Sequence, residues 1–437
     1  MESKTGKRGR VTRSIPIALT TIGAAAALMV TSRAVIALFG PGLPYRLPQP
    51  PEAPLDSEEF RRFLSIITDS AVHPKTQVSV LTNGDQFYAA ELEAMRQAKS
   101  TINLEAYEFL EGELTNTVLD TLAERARARV EVRVVIDAVG SMSTKDSYFS
   151  RLRQAGGRMC WYHPLRAVNW PRYNNRTHRK LTVVDGSIAF VGGADFADHW
   201  IRATKDGPRW RDTVFRLEGE AVGAVQSVFA ENWLESSGDI LSGGVQFPFR
   251  EVHGNAMAMV VNSAPSGGCT RSRILFQALL ELARESIRIT TPYFLPDRSA
   301  REAIARAAQR GVKVQIITAG KYSDHPLARK LSRSMDRKLL QAGVEIFEYE
   351  AAMIHAKIMN VDGCWSVIGS TNFDHRSFAL NDEVNVAIFD RELVERIEQD
   401  FEEDVRHSQQ LDRQDWRARS VAERAEDALA RILIREE

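Results

Sequence analysis

Cysteine is scarce in this chain, net charge is absent, and only one uncharged stretch is long enough to concern a membrane. The 437 residues hold three cysteines, Cys160, Cys269 and Cys364. An odd number at unrelated spacings supports neither a disulfide scaffold nor a structural zinc site. Lys and Arg number 57, as do Asp and Glu, so the whole chain carries no field that would concentrate a polyanion such as DNA. A nucleic acid is therefore not an expected partner, and any basic surface must be local. A hydrophobic fraction of 44% with 26% charged residues excludes bulk disorder and low-complexity fibre, and the length suits about two to three domains.

The N-terminus is the compositional outlier. Residues 1–13 carry Lys4, Lys7, Arg8, Arg10 and Arg13 against Glu2, and residues 14–32 carry no charge. Such a run makes about 28 Å of helix, close to the hydrocarbon thickness of a bilayer. Residues 1–40 are therefore expected to be a basic region and one transmembrane helix; the alternative is a cleaved secretory signal ending near Ser32-Arg33-Ala34. Pro41, Pro44, Pro48, Pro50, Pro51 and Pro54 then predict an extended linker over 41–60 that holds the body off the membrane. With the basic cluster kept inside, the body would lie on the exported side of a bacterial cell membrane.

The rest is one unit written twice, over about 61–245 and 246–410. The segment 98–109, AKSTINLEAYEF, matches 283–294, ARESIRITTPYF, each with strand-like alternation after a helical stretch. A helix follows in each copy, near 113–128 and 299–310, then an alternating strand at Val130–Asp137 and Val312–Thr318. Alternating helices and strands predict an α/β fold with a sheet in each half. A repeat this long is a duplicated domain, and residues placed once per copy would meet as a pair across a pseudo-twofold axis. Residues 411–437 close the chain with spaced Val421, Ala425, Leu429 and Ile432, an amphipathic helix.

What stands once per copy is chemically loaded. His178, Lys180 and Asp185 in the first copy match His355, Lys357 and Asp362 in the second, both as H-x-K-x-x-x-x-D. With nine histidines in the chain, one chance match is expected about 0.01 times. Small-residue turns follow in register, Gly193 to Asp195 and Ser370 to Asn372, and then a carboxylate, Asp212 and Glu383.

If the motif is a strand, His and Lys share a face and Asp turns the other way. Two such strands facing each other would ring one cavity with two imidazoles and two ammoniums, which suits a phosphodiester. That anion resists attack, and fixed cations aimed at its equatorial oxygens lower the barrier. One neutral imidazole can attack phosphorus while the other, protonated, serves the departing alkoxide; a second alcohol or water then splits the phosphohistidine. Asp212 and Glu383 are the candidates to fix the imidazole tautomers. Asp185 and Asp362 either take part in the chemistry or hold turns and strand ends through hydrogen bonds. No metal or other cofactor is called for.

The paired motifs with their small-residue turns resemble the phospholipase D superfamily. The strings NNRTHRKLTVVDGSIAFVGG, TPYFLPD and IHAKIMNVDGCWSVIGSTNFDHRSFALNDEVN are similar to those of bacterial cardiolipin synthases of that type. The resemblance covers about 73–410. It implies two α/β sandwich halves with the site between them, and transfer of a phosphatidyl group between two phosphatidylglycerols without a metal. It also implies His178 as nucleophile, His355 as general acid, Lys180, Lys357 and Asn372 on the phosphate oxygens, Gly193, Asp195 and Ser370 at the substrate, and Asp212 and Glu383 behind the imidazoles. Two departures stand out. Relatives usually carry Asn where Asp195 stands, so Asp195 is expected to be protonated or to clamp Lys180 or Lys357. Relatives often enter the membrane with two spans, whereas this chain offers one.

Two further segments bear on a lipid. Arg166, Trp170, Arg172, Tyr173 and Arg176 form a basic aromatic insert suited to the headgroup level or to solvent. Lys321 to Lys338 is a basic helix, a solvated face or an anionic-lipid contact. The rival functions are a hydrolase using water as acceptor, either a phospholipase D or a nuclease, and a silent lipid-binding scaffold.

Overall fold

The computed structural model describes residues 45–165, 174–248, 254–265 and 270–412. The expected anchor, the insert residues Arg166, Trp170, Arg172 and Tyr173, Cys269 and the tail helix lie outside them. No helix among the described residues is long and apolar enough to cross a membrane.

The first half contributes strands β1 (Val72–Thr82), β2 (Thr101–Ala106), β3 (Glu131–Asp137), β4 (Arg158–Tyr162), β5 (Arg176–Thr177), β6 (Leu181–Val184), β7 (Ile188–Gly192) and β8 (Thr213–Gly219). The second contributes β9 (Ala256–Ser263), β10 (Ser286–Thr290), β11 (Phe294–Leu295), β12 (Lys313–Ala319), β13 (Glu345–Tyr349), β14 (Ile358–Val361), β15 (Trp365–Gly369), β16 (Phe373–Asp374), β17 (Asn381–Phe389) and β18 (Ser408–Gln410). The duplication is visible in their order. One side runs β1-β8-β7-β6-β2-β3-β4 and the other β9-β17-β15-β14-β10-β12-β13. β2, β3 and β4 are mutually parallel, as are β10, β12 and β13, which is what helical crossovers produce.

The halves are not separate sandwiches. β1 pairs antiparallel with β9, so one hydrogen-bonded sheet runs through both. Each half keeps its own helix-covered core, around Leu104, Val134 and Phe149 in the first and Ile289, Ile316 and Ile346 in the second. A third core draws on both, packing Val183, Val191 and Phe215 with Ile358, Ile368 and Val386. Burying residues of both halves in one core makes each half the other's solvent shield.

The linker is not a free spacer. From Tyr45 onward it lies on the second half: Tyr45 N–H donates to Ser299 Oγ at 2.9 Å, and Trp365 Nε1 donates to the buried Leu55 carbonyl at 2.8 Å. Helix Glu58–Thr68 follows, its first three residues falling in what the sequence presents as extended linker.

Candidate active site

The His-x-Lys stretch of each copy leaves the sheet instead of running along it. Residues 178–180 fall between β5 and β6, and 355–357 precede β14, so the shared strand face is not what aligns them. The opposite half does so. β5 pairs in parallel with β17, Thr177 opposite Asp382, and the His178 N–H reaches the Asp382 carbonyl at 2.9 Å. Correspondingly, Arg211 bridges Ile354, and the His355 N–H donates to the Arg211 carbonyl at 2.7 Å. Each histidine is thus seated next to the carboxylate that follows its acceptor.

Both imidazoles are therefore paired across the halves. His178 Nδ1 lies 3.1 Å from Glu383 Oε1, and His355 Nδ1 lies 3.1 Å from Asp212 Oδ2. With Nδ1 on a carboxylate, Nε2 is the nitrogen left for chemistry. Ser370 Oγ donates to Glu383, while Asp212 accepts from Trp200 Nε1 at 3.1 Å and from the Thr213 N–H at 2.8 Å. Gly193 stands where the second copy has Ser370. A Cβ there would sit 2.6 Å from Asp212 Oδ1 and 2.9 Å from the His355 carbonyl, so only glycine admits that approach. The structure places Gly193 and Ser370 behind the imidazoles, in support of the carboxylates, and not on the pocket surface.

The lysines are close behind as well. Lys357 Nζ lies 3.0 Å from His355 Nδ1 and 3.2 Å from Nε2. Lys180 Nζ donates to the His178 carbonyl at 2.9 Å and pairs with Asp195 Oδ2 at 3.0 Å. Of the two expectations for Asp195, the clamp on Lys180 is the one the geometry carries.

Asp185 and Asp362 are not brought to the pocket. Each opens an Asp-Gly turn with positive φ at both residues, 51° and 56° in the first copy and 50° and 58° in the second, the backbone of a tight hairpin. Asp185 accepts from the N–H groups of Lys99, Ser100 and Thr101 at 2.9, 2.7 and 2.9 Å. Asp362 does the same for Arg284, Glu285 and Ser286 at 2.9, 2.8 and 2.9 Å. Their work is to pin the hairpin to the start of β2 or β10.

Between the halves lies a cavity of about 210 Å³ that both His178 and His355 line, with Asp195 and Asn372. Its other walls come from residues outside the paired motifs. Tyr107 meets His178 edge-on at 5.3 Å, and His355 lies near Trp200 and Trp210 at 5.4 and 5.3 Å between ring centroids. Glu108 and Tyr293 occupy equivalent places in the repeated segments 98–109 and 283–294, and both line the cavity. That repeat, followed to its carboxyl end, was the available signal. Arg176 is not a surface residue of the basic insert: it is buried, paired with Asp137 at 2.9 Å. On the basic helix, Arg329 and Arg333 are committed to Glu348.

Burial governs the proton affinities. It holds His355 well below its ordinary value, reinforced by the Lys357 and Lys180 cations. Burial also brings Lys357 down to about 8, against the pull of Asp212. Asp212 is pushed up by burial, opposed by the Lys357 ammonium and the Thr213 N–H. Glu383 is buried too, but the His178 imidazole and the Ser370 hydroxyl outweigh that and hold it below the usual carboxylate range.

A family model described as cardiolipin synthase, PLD-like domain, matches residues 92–206 and 276–405. A cardiolipin synthase of Oceanobacillus iheyensis is 34% identical over 372 residues, covering 85% of this chain and 78% of that protein. A probable cardiolipin synthase of Bacillus subtilis is 34% identical over 363 residues, covering 83% of this chain and 72% of its own length. Among solved structures, a phosphatidylserine synthase of Haemophilus influenzae superposes with a TM-score of 0.64 at 15% identity, over 86% of this chain and 98% of that one. This last likeness shows the fold.

Proposed function

The chain belongs to the phospholipase D-like cardiolipin synthase family, and from that premise we propose that it is a phosphatidyltransferase joining two phosphatidylglycerols into cardiolipin and glycerol. The observation that carries the chemistry is the pair of His–carboxylate contacts across the halves, at 3.1 Å each, opening on one cavity.

His178 attacks phosphorus through Nε2 while Glu383 holds Nδ1 and stabilises the imidazolium that forms. His355 acquires its proton as substrate binds. Its affinity is depressed by burial and by two lysine cations, and an anionic phosphodiester placed against those cations reverses their influence. Charged His355 then protonates the departing glycerol alkoxide, and afterwards takes the proton of the incoming hydroxyl. Lys180, Lys357 and Asn372 stabilise the charge on the phosphate oxygens. The cavity is smaller than the roughly 300–1,000 Å³ that encloses a drug-sized ligand. It suits a headgroup, with the acyl chains left in a bilayer and the body held there by residues 14–32.

The test is lipid mass spectrometry of the full chain in phosphatidylglycerol vesicles with a chelator present. Cardiolipin should form, and His178→Ala should abolish it. Phosphatidic acid and glycerol as sole products would replace the transferase with a hydrolase.

A further inference from the structure

The cavity holds more hydrogen-bond acceptors than a phosphodiester can use. A phosphate diester anion has acceptors only, and the imidazoles and lysines answer it. Yet the same walls carry Glu108, Asp195, Asp324 and Asp374. They also carry Asn372 and Asn381, each 5% exposed, whose Oδ1 atoms are buried without a hydrogen-bond partner. Unpaired buried acceptors call for a ligand that brings donors.

Three of the carboxylates are already engaged. Asp195 holds Lys180 at 3.0 Å and the Tyr107 N–H at 2.9 Å. Asp324 accepts from the Tyr293 hydroxyl at 2.7 Å, and Asp374 caps a helix through the Ser377 N–H at 2.7 Å. Glu108 differs: among the described residues its carboxyl has neither a hydrogen bond nor an ion pair. Its backbone is fixed beside Asp195, since the Phe196 N–H donates to the Glu108 carbonyl at 3.0 Å. Burial, then the Asp195 charge, pushes its carboxyl up to about 8. At neutral pH it is therefore largely uncharged and does not repel the phosphate.

We propose that Glu108, with the free amide oxygens of Asn372 and Asn381, forms a hydroxyl-binding subsite that holds the acceptor as a 1,2-diol, the glycerol head of the second lipid. This rests on the transferase reading above and assigns the residues that select the acceptor. One hydroxyl of the diol is anchored at the subsite while its neighbour faces phosphorus. The reacting hydroxyl gives its proton to neutral His355 and its oxygen bonds phosphorus. The P–N bond to His178 breaks, returning its electron pair to the imidazole. Water lacks the second attachment, so positioning favours the diol. Glu108 is a specificity-determining residue for this step and plays no part in forming the phosphohistidine.

The experiment compares wild type, Glu108→Leu and Glu108→Gln, as full chains in phosphatidylglycerol vesicles, by three products. Glycerol release reports the first half-reaction, cardiolipin reports transfer and phosphatidic acid reports hydrolysis. In Glu108→Leu, glycerol release should stay within about twofold while the cardiolipin-to-phosphatidic acid ratio falls about tenfold, the effect of one hydrogen bond. Glu108→Gln, which mimics the neutral acid, should restore the ratio. An unchanged ratio in Glu108→Leu overturns the proposal, as does a fall in glycerol release that matches the fall in cardiolipin. Adding 1,2-propanediol or 1-propanol as soluble acceptor, each giving a phosphatidyl ester distinct from the donor lipid, separates this from the transferase reading. Wild type should favour the diol and Glu108→Leu should not, whether or not wild type makes cardiolipin. Equal preference in both chains rejects the subsite.

Discussion

His178 and Glu383 are 205 residues apart in the chain and 3.1 Å apart in space, and their counterparts His355 and Asp212 are joined in the same way across 143 residues. Neither half owns a complete His–carboxylate pair. The exchange is enforced by backbone, through the His178 N–H on the Asp382 carbonyl and the His355 N–H on the Arg211 carbonyl, so the imidazoles cannot be aligned unless the halves are docked.

That exchange predicts that Glu383→Gln behaves as a lesion of His178. An amide in place of the carboxylate leaves the imidazole without tautomer control, and turnover should fall on the order of 10²–10⁴-fold. Combined with His178→Ala it should cost little more than His178→Ala alone. Product formation in the double variant measures this, and simple multiplication of the two losses would reject it.

Substrate binding should take up protons near neutral pH. His355 is depressed by burial and by two lysines. Phosphate between those cations raises its affinity, so protons move from solvent to protein. Calorimetry of a short-chain phosphatidylglycerol binding to the His178→Ala chain, which the proposed mechanism renders inactive, reads the number directly in two buffers of different ionisation enthalpy. The expected value is positive and below about one per site; zero or release contradicts the role given to His355.

Asp195→Asn should separate stability from affinity. Lys180 and Asp195 are buried at 3% and 2% exposure, and a buried cation stripped of its counter-ion costs roughly 3 kcal/mol. The same change removes a negative charge beside the phosphate. A lower melting temperature is expected together with a lower KM for phosphatidylglycerol, checked by thermal denaturation and vesicle kinetics.

Asp362→Ala should destabilise without a specific effect on chemistry. Three backbone N–H groups lose a charged acceptor, a loss of about 2–4 kcal/mol. Asp362→Asn, which tolerates positive φ and keeps an acceptor, should lose less. Denaturant unfolding gives the stabilities, and the surviving folded fraction should keep a turnover within about threefold of wild type.

Much of the site was legible because duplication wrote it twice. The two H-x-K-x-x-x-x-D strings and the carboxylates after them mark the pairs before any coordinate does, and β3 and β12 fall within a residue of where alternation puts them. Where the structure departs from the sequence pattern, the cause is a contact from elsewhere in the chain. The His-x-Lys stretch resembles a strand because apolar residues flank it, but its ladder partners lie in the other half and reach it only through short bridges. Arg176 resembles an exposed basic residue until Asp137, 39 residues away, neutralises it in the core.

The sequence by itself determined the candidate reacting groups, their number and their register, since those follow from residue identity repeated at fixed spacing. Tertiary structure alone decided which carboxylate serves which histidine, that Asp185 and Asp362 hold turns, and that Glu108 reaches the cavity uncommitted. Those facts depend on burial and on contacts between residues from 76 to 205 positions apart in the chain, which the sequence does not display.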